Sequence, residues 1–214
     1  VETLSASPSW LKCTYLAVAM LILPALAPHV ARSAGDAPSA EHTLAGQLLV
    51  ASPEIGDPRF AHTVILIVHH DEGGAFGIVI NRPVEERSFE SLLEAIGDNG
   101  KGVEGSVRIF SGGPVQPEVG FVVHSVDYHR EDTIDVDGRV AMTSSSEILR
   151  DIAHKQGPKQ SLVAFGYAGW APGQLEAELE RHDWFTVPED PKLVFDEDRE
   201  KLWDLAMARR TLDL

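Results

Sequence analysis

The sequence predicts an α+β domain: a mixed, largely antiparallel sheet flanked by helices, with rolling toward a barrel as an open variant. Three observations point there. Strand-like and helix-like segments are interleaved along the chain without an internal repeat. Turn signals such as Asp71-Glu72-Gly73-Gly74 and Asp137-Gly138 join neighbouring β-prone runs as hairpins. Such hairpins outnumber the crossovers that a parallel sheet would need.

The elements follow in order. Leu44 to Ala51 reads as a strand, closed by Ser52-Pro53-Glu54-Ile55-Gly56-Asp57-Pro58, whose prolines cannot donate to a ladder. His62 to His69 is an unbroken β-branched run, so it belongs in mid-sheet with both faces covered. A four-residue turn at 71–74 leads to a strand over Ala75 to Asn81, stopped at Pro83. Ser88 to Ile96 is an amphipathic helix with Phe89, Leu92, Leu93 and Ile96 on one side. After a glycine-rich loop at 97–105, Val107 to Phe110 and Val119 to His124 are strands joined through Ser111-Gly112-Gly113-Pro114-Val115. Ser144 and Glu147 read as a capping box opening a helix to about His154. Ser161 to Tyr167 is a buried strand, and the corner at Gly166 to Gly173 turns into a helix from Gln174 to His182. Leu193 to Phe195 reads as a last strand. Asp196 then caps a helix to about Arg210, with Leu202, Leu205 and Ala206 inward.

Residues 1–34 read as a signal peptide or leader: Lys12 precedes an uncharged apolar run from Cys13 to Ala27, too short for a comfortable membrane span. Small-x-small sites follow at Ala25-Leu26-Ala27 and Ala31-Arg32-Ser33. Residues 35–43 form a polar linker and 44–214 one domain. A start-site artefact is the rival reading, because the first residue is Val. A genuine leader implies a periplasmic or secreted protein with no stable membrane span after its removal; otherwise the protein is cytoplasmic. Cys13 is the lone cysteine, so residues 35–214 hold no disulfide and no thiolate ligand. The net charge of −15, with Arg209-Arg210 the densest basic pair after the leader, argues against direct nucleic-acid binding.

Several residues invite chemistry. Ser111 lies in Phe-Ser-Gly-Gly-Pro, where the amides of Gly112 and Gly113 can form an anion nest, with His124 as base and Glu176 as its orienting group. The competing reading is a tight turn with positive φ. His69 and His70 are strand neighbours pointing to opposite faces. No His-Glu-x-x-His occurs, so no metal and no cofactor is assigned. Asn81 fits a strand end, and Arg82 beside it suits either a carboxylate or phosphate ligand or a salt bridge to the acidic surface. Tyr167 and Trp170 read as core plugs or interface anchors. The acidic helix face bearing Glu176 and Glu180 is either solvated or a surface for a basic partner. The candidate cluster is Asn81, Arg82, Ser111, Gly112, Gly113, His124, Tyr167, Trp170 and Glu176.

Leu44-Ala45-Gly46-Gln47-Leu48-Leu49-Val50-Ala51, Asp57-Pro58-Arg59-Phe60 and Gly77-Ile78-Val79-Ile80-Asn81-Arg82-Pro83 resemble the AlgH/YqgE family of bacterial proteins. So do Gly112-Gly113-Pro114-Val115, His124-Ser125 and the corner at 166–176, all in the family's order. The resemblance implies a single domain with a β core flanked by helices. It implies no established activity, although some members are labelled transcriptional regulators. The leader departs from the family pattern. The leading expectation is a non-enzymatic binding or regulatory domain acting through protein or small-ligand contacts. The alternative is a small hydrolase-like or anion-binding enzyme centred on Ser111 and His124, and the third reading is a transcriptional regulator.

Overall fold

Leu48 to Ala51 are fully buried in the computed structural model, which describes residues 43–196 and 198–210. Strand neighbours point to opposite faces, so such a run needs cover on both sides. β1 (Gln47–Ala51) and β2 (Val64–Asp71) have it. Leu48, Val50, Val64, Leu66 and Val68 join one apolar cluster, while Leu49, Ala51, Ile65 and Ile67 join another.

The remaining strands are β3 (Gly74–Val79), β4 (Pro83–Ser88), β5 (Ser106–Ser111), β6 (Val115–Ser125), β7 (Ile134–Asp135), β8 (Val140–Thr143), β9 (Ser161–Trp170) and β10 (Trp184–Pro188). Their order is β10-β1-β2-β3-β9-β6-β8-β7, with β4 paired to β5 and β5 to β9. Among the described residues, the β5–β9 pairing is the parallel one and the rest are antiparallel. The sheet curls into a half-barrel. Its inner face holds side chains from nearly every strand, and Leu193, Val194, Leu202 and Ala206 of the C-terminal segment pack among them.

β9 is a branch point. One edge pairs with β6, while the other takes β5 through Val163–Phe165 and then β3 through Ala168–Trp170. Gly112 sits at the fork. Its N–H donates to the Phe165 carbonyl (2.7 Å) and its carbonyl accepts from the Val79 N–H (2.8 Å). A Cβ there would collide with the Gly166 carbonyl, so only glycine fits.

Two groups of helices cover the outer face. α1 (Phe89–Ala95) and α2 (Glu147–Ala153) place Leu92, Ile148 and Leu149 over Ile109, Val122 and Val163. α3 (Gln174–Glu180) places Leu175 over the β1–β3 side. α4 (Leu202–Ala208) belongs to the inner face.

Several expectations are corrected. Pro83 opens β4 instead of ending a strand, because the first residue of an edge strand needs no N–H. The hairpin after β2 turns through Glu72-Gly73 alone, with Asp71 opposite Gly74 and its carboxylate accepting from the Gly73 N–H (2.7 Å). The capping box fails: Ser146 is the N-cap, and Ser144 and Ser145 instead donate their N–H groups to Asp132 (3.2 and 2.7 Å). Leu193 to Phe195 lie in a helical turn of π type over Lys192–Asp196, since three apolar residues carry no period that separates strand from helix. The last helix starts at Leu202 behind Lys201, not at Asp196. The last strand is β10, which the sequence reading passes over. The expected leader and residues 35–42 of the linker lie outside the described residues.

Candidate functional site

The trio of Ser111, His124 and Glu176 is not assembled. Ser111 faces Phe165 across one edge of β9, whereas His124 faces Ser161 across the other. Four residues of β9 separate those positions by about 13 Å, at roughly 3.3 Å per residue. Two strand spacings add to this, so no proton passes directly between Ser111 and His124.

His124 is fully buried, and both ring nitrogens are occupied. Nδ1–H donates to the Ser125 carbonyl (2.9 Å), which leaves Nε2 to accept from the Thr143 hydroxyl (2.9 Å). Thr143 in turn accepts from the Thr133 hydroxyl (2.7 Å). Burial pushes the imidazole below its ordinary pKa, so this is a neutral core histidine.

Glu176 serves a different histidine. Its Oε1 accepts from His70 Nε2 (2.7 Å), whose Nδ1 accepts from the Leu44 N–H (3.1 Å). Its own backbone N–H and then His70 hold the Glu176 carboxyl below the ordinary range. His69 and His70 do point apart: their side chains are 61% and 11% exposed.

The other candidates are bound into the backbone frame. Asn81 Oδ1 accepts from the Val64 N–H (2.9 Å) and its Nδ2 donates to the His62 carbonyl (2.9 Å), extending the β2 edge. Arg82 donates to the carbonyls of Arg59 and Ala61 instead of reaching the acidic surface. The Gly112 amide is taken by Phe165, so the paired-amide nest does not form. Gly113 has φ 152° with no room for a Cβ against the Tyr167 backbone. Tyr167 packs tilted against Phe76 and edge-on to Phe121, at centroid distances of 4.7 and 6.1 Å.

Trp170 leads to a site that the sequence reading half saw. Its indole N–H donates to Glu178 Oε2 (2.8 Å), and so does that of Trp184 (2.8 Å). Gln174 Nε2 donates to Glu178 Oε1 (2.9 Å), while its own Oε1 accepts from the Ala171 N–H (3.1 Å). Both Glu178 oxygens thus accept from N–H groups. The Trp184 ring meets Trp170 and Phe60 edge-on, at 6.0 and 5.5 Å.

These groups line a cleft of about 480 Å³ beside α3, completed by Pro114, Val115 and two arginines. Each arginine answers its own aspartate: Arg59 with Asp57 (2.6 Å) and Arg181 with Asp183 (2.8 Å). The three donors to Glu178 are neutral, and among the described residues no cation pairs with it. The expected corner at 166–173 is shorter than read: β9 runs on to Trp170 and only Ala171-Pro172-Gly173 turn into α3, whose period puts Gln174 and Glu178 on one face. Trp184 had no signal, because it enters on the overlooked β10. Among the described residues no three His, Cys, Asp or Glu side chains cluster as metal ligands would.

The family model described as AlgH-like matches residues 48–214. The chain is 47% identical over 178 residues to a UPF0301 protein of Jannaschia sp. (strain CCS1), covering 82% of this chain and 93% of that one. It is 44% identical to a UPF0301 protein of Rhodospirillum rubrum, over 81% of this chain and 90% of the relative. The solution structure of the AlgH protein from Pseudomonas aeruginosa superposes with a TM-score of 0.69 at 39% identity, covering 81% of this chain and 92% of that one. A crystal structure from Corynebacterium diphtheriae gives 0.61 at 25% identity, covering 78% and 87%. The chain belongs to the AlgH-like family.

Proposed function

We propose, from the premise that this is an AlgH-like protein, that it is a non-enzymatic binding domain whose cleft beside α3 takes a cationic side chain. The ligand is an ammonium or guanidinium group, presented by a protein partner or a small molecule. One observation carries the reading: Glu178 brings a negative charge to the cleft that only neutral donors meet, while Arg59 and Arg181 are each answered by an aspartate. The aromatic walls lower the local dielectric, which strengthens an ion pair formed against that carboxylate. The net charge of −15 steers basic partners toward the surface.

The test uses tryptophan emission, since Trp170 and Trp184 are both in the cleft. Short lysine- and arginine-containing peptides are titrated beside a lysine-acetylated control. The expected result is a saturable change with the charged peptides, weakened by salt, absent with the acetylated peptide and lost in Glu178→Gln. Equal responses to charged and acetylated peptides, or no saturable response at all, overturn the reading.

A further inference from the structure

The main path of the sheet ends in β10 at one side and β7 at the other, and side chains bring these two edges together. Glu189 directly follows β10, at one end of the strand order, while Asp137 and Arg139 lie in the turn between β7 and β8, at the other. Across this seam Arg139 Nη2 stands 3.0 Å from Glu189 Oε2. A Cβ on Gly46, just before β1, would lie 2.7 Å from Asp137 Cβ. Val136 and Val187 share the inner core cluster, so both edges border one interior. Among the described residues no backbone hydrogen bond crosses the seam. Side-chain contacts alone close it.

Glu189 is the unusual member. Its side chain is 0% exposed, and although Arg139 Nη2 stands close to Oε2, neither oxygen accepts a well-formed hydrogen bond. Asp137 is well supplied: Oδ1 accepts from the N–H groups of Arg139 and Val140 (both 3.0 Å) and Oδ2 from the Arg139 guanidinium (2.9 Å). One guanidinium therefore faces two carboxyls. As carboxylates both would offer only lone pairs to each other; a proton held between them turns that repulsion into a hydrogen bond. A further charge facing Glu189 is its neighbour Asp190, which Arg209, just after α4, binds (3.0 Å).

We propose that Glu189 and Asp137 form a proton-operated latch: one shared proton keeps the seam shut, and its loss lets β10 part from the β7–β8 turn. The proton resides on Glu189. Burial first, and then Asp137, push its carboxyl up to about 8. At Asp137 burial acts in the same upward direction, but the hydrogen bonds prevail and hold it below the ordinary range. The latch stands whether or not the cleft has a ligand. Because β10 begins at Trp184, opening would also disturb one wall of that cleft.

Hydrogen exchange of the full chain between pH 5 and pH 9 tests the latch, corrected for the intrinsic base-catalysed rate. The amides to follow are Val136, which donates to Val140, and those of the β1–β10 ladder. Expected is a loss of protection of about tenfold or more as pH rises through the Glu189 titration, the factor that one pKa unit of differential proton affinity supplies. In Glu189→Gln that loss disappears. Carbon-13 NMR of the Glu189 carboxyl in the unaltered protein gives a second readout, independent of whether the variant folds. Titration of Glu189 in the ordinary carboxylate range, or seam amides protected equally at both pH extremes, overturns the latch.

Discussion

Glu178 and Glu189 are two glutamates of one domain, the first half-buried and the second buried, and the sequence does not distinguish them. The first accepts three N–H groups from Trp170, Trp184 and Gln174; the second accepts no well-formed hydrogen bond and has only a shared arginine beside it. A carboxyl group ringed by N–H donors still has lone pairs to offer a partner. One that finds no donors keeps a proton instead. The difference lies in where their donors originate. Glu178 is served by residues on α3 and the strands beside it. Glu189 faces a second carboxyl and a single arginine that is shared.

The largest effect should come from breaking the Glu178 side. Trp184→Ala removes a donor and a buried ring, and should cost about 3–5 kcal/mol in urea unfolding. Trp184→Phe keeps most of the ring and should still cost roughly 1.5–3 kcal/mol, as expected for a lost hydrogen bond to a charged group. A neutral Phe variant would mean that the indole N–H is idle.

The Glu189 side should respond with the opposite sign. A carboxyl raised by folding contributes stability that is complete below its unfolded pKa, near 4.5, and is lost as pH rises through about 8. Wild-type stability should therefore decline across that window. Glu189→Gln should flatten the decline and gain about 1–3 kcal/mol at pH 8.5, the usual cost of an unsatisfied buried polar group. A parallel decline in both proteins, measured by urea midpoints, would count against this account. The smallest effect belongs to Arg139→Gln. Its side chain is 53% exposed, so stability should change by about 0–1 kcal/mol. The Glu189 titration, followed by NMR, should move still higher once that cation is gone.

The interior of the sheet was legible wherever pattern left no choice. From Val64 to Val68 there is no polar alternation, so only a strand covered on both faces fits, and β2 is that strand. β10 is as β-prone, but it is five residues set among His182, Asp183, Glu189 and Asp190, which read as surface. The proposed trio failed for a topological reason. Ser111 and His124 both neighbour β9 in space, yet which edge of β9 each occupies is a matter of pairing that spacing along the chain does not encode. The positive φ expected of the Gly112-Gly113-Pro114 turn is found at Gly113 alone. Gly112 is required for another reason, the approach of Gly166 from a strand more than fifty residues later. Half of the cleft was visible in the corner that carries Trp170. The other half waited on β10.

The fork at β9 has a consequence for how this protein is made. β3, β5 and β6 all precede β9 in the chain, and each uses it as a partner. A ribosome delivers residues in order, so β3, β5 and β6 emerge before residues 161–170 exist to join them. Until then the nascent chain carries three strand edges waiting for the same partner, the situation in which pairing with other chains competes with folding. A ribosome-stalled chain with residues 161–170 not yet emerged should be protease-sensitive across β2 and β3, and one from which the whole sheet and α4 have emerged resistant, as measured by pulse proteolysis. The fork turns the arrival of one late segment into the step at which the two halves of the sheet become a single cooperative unit.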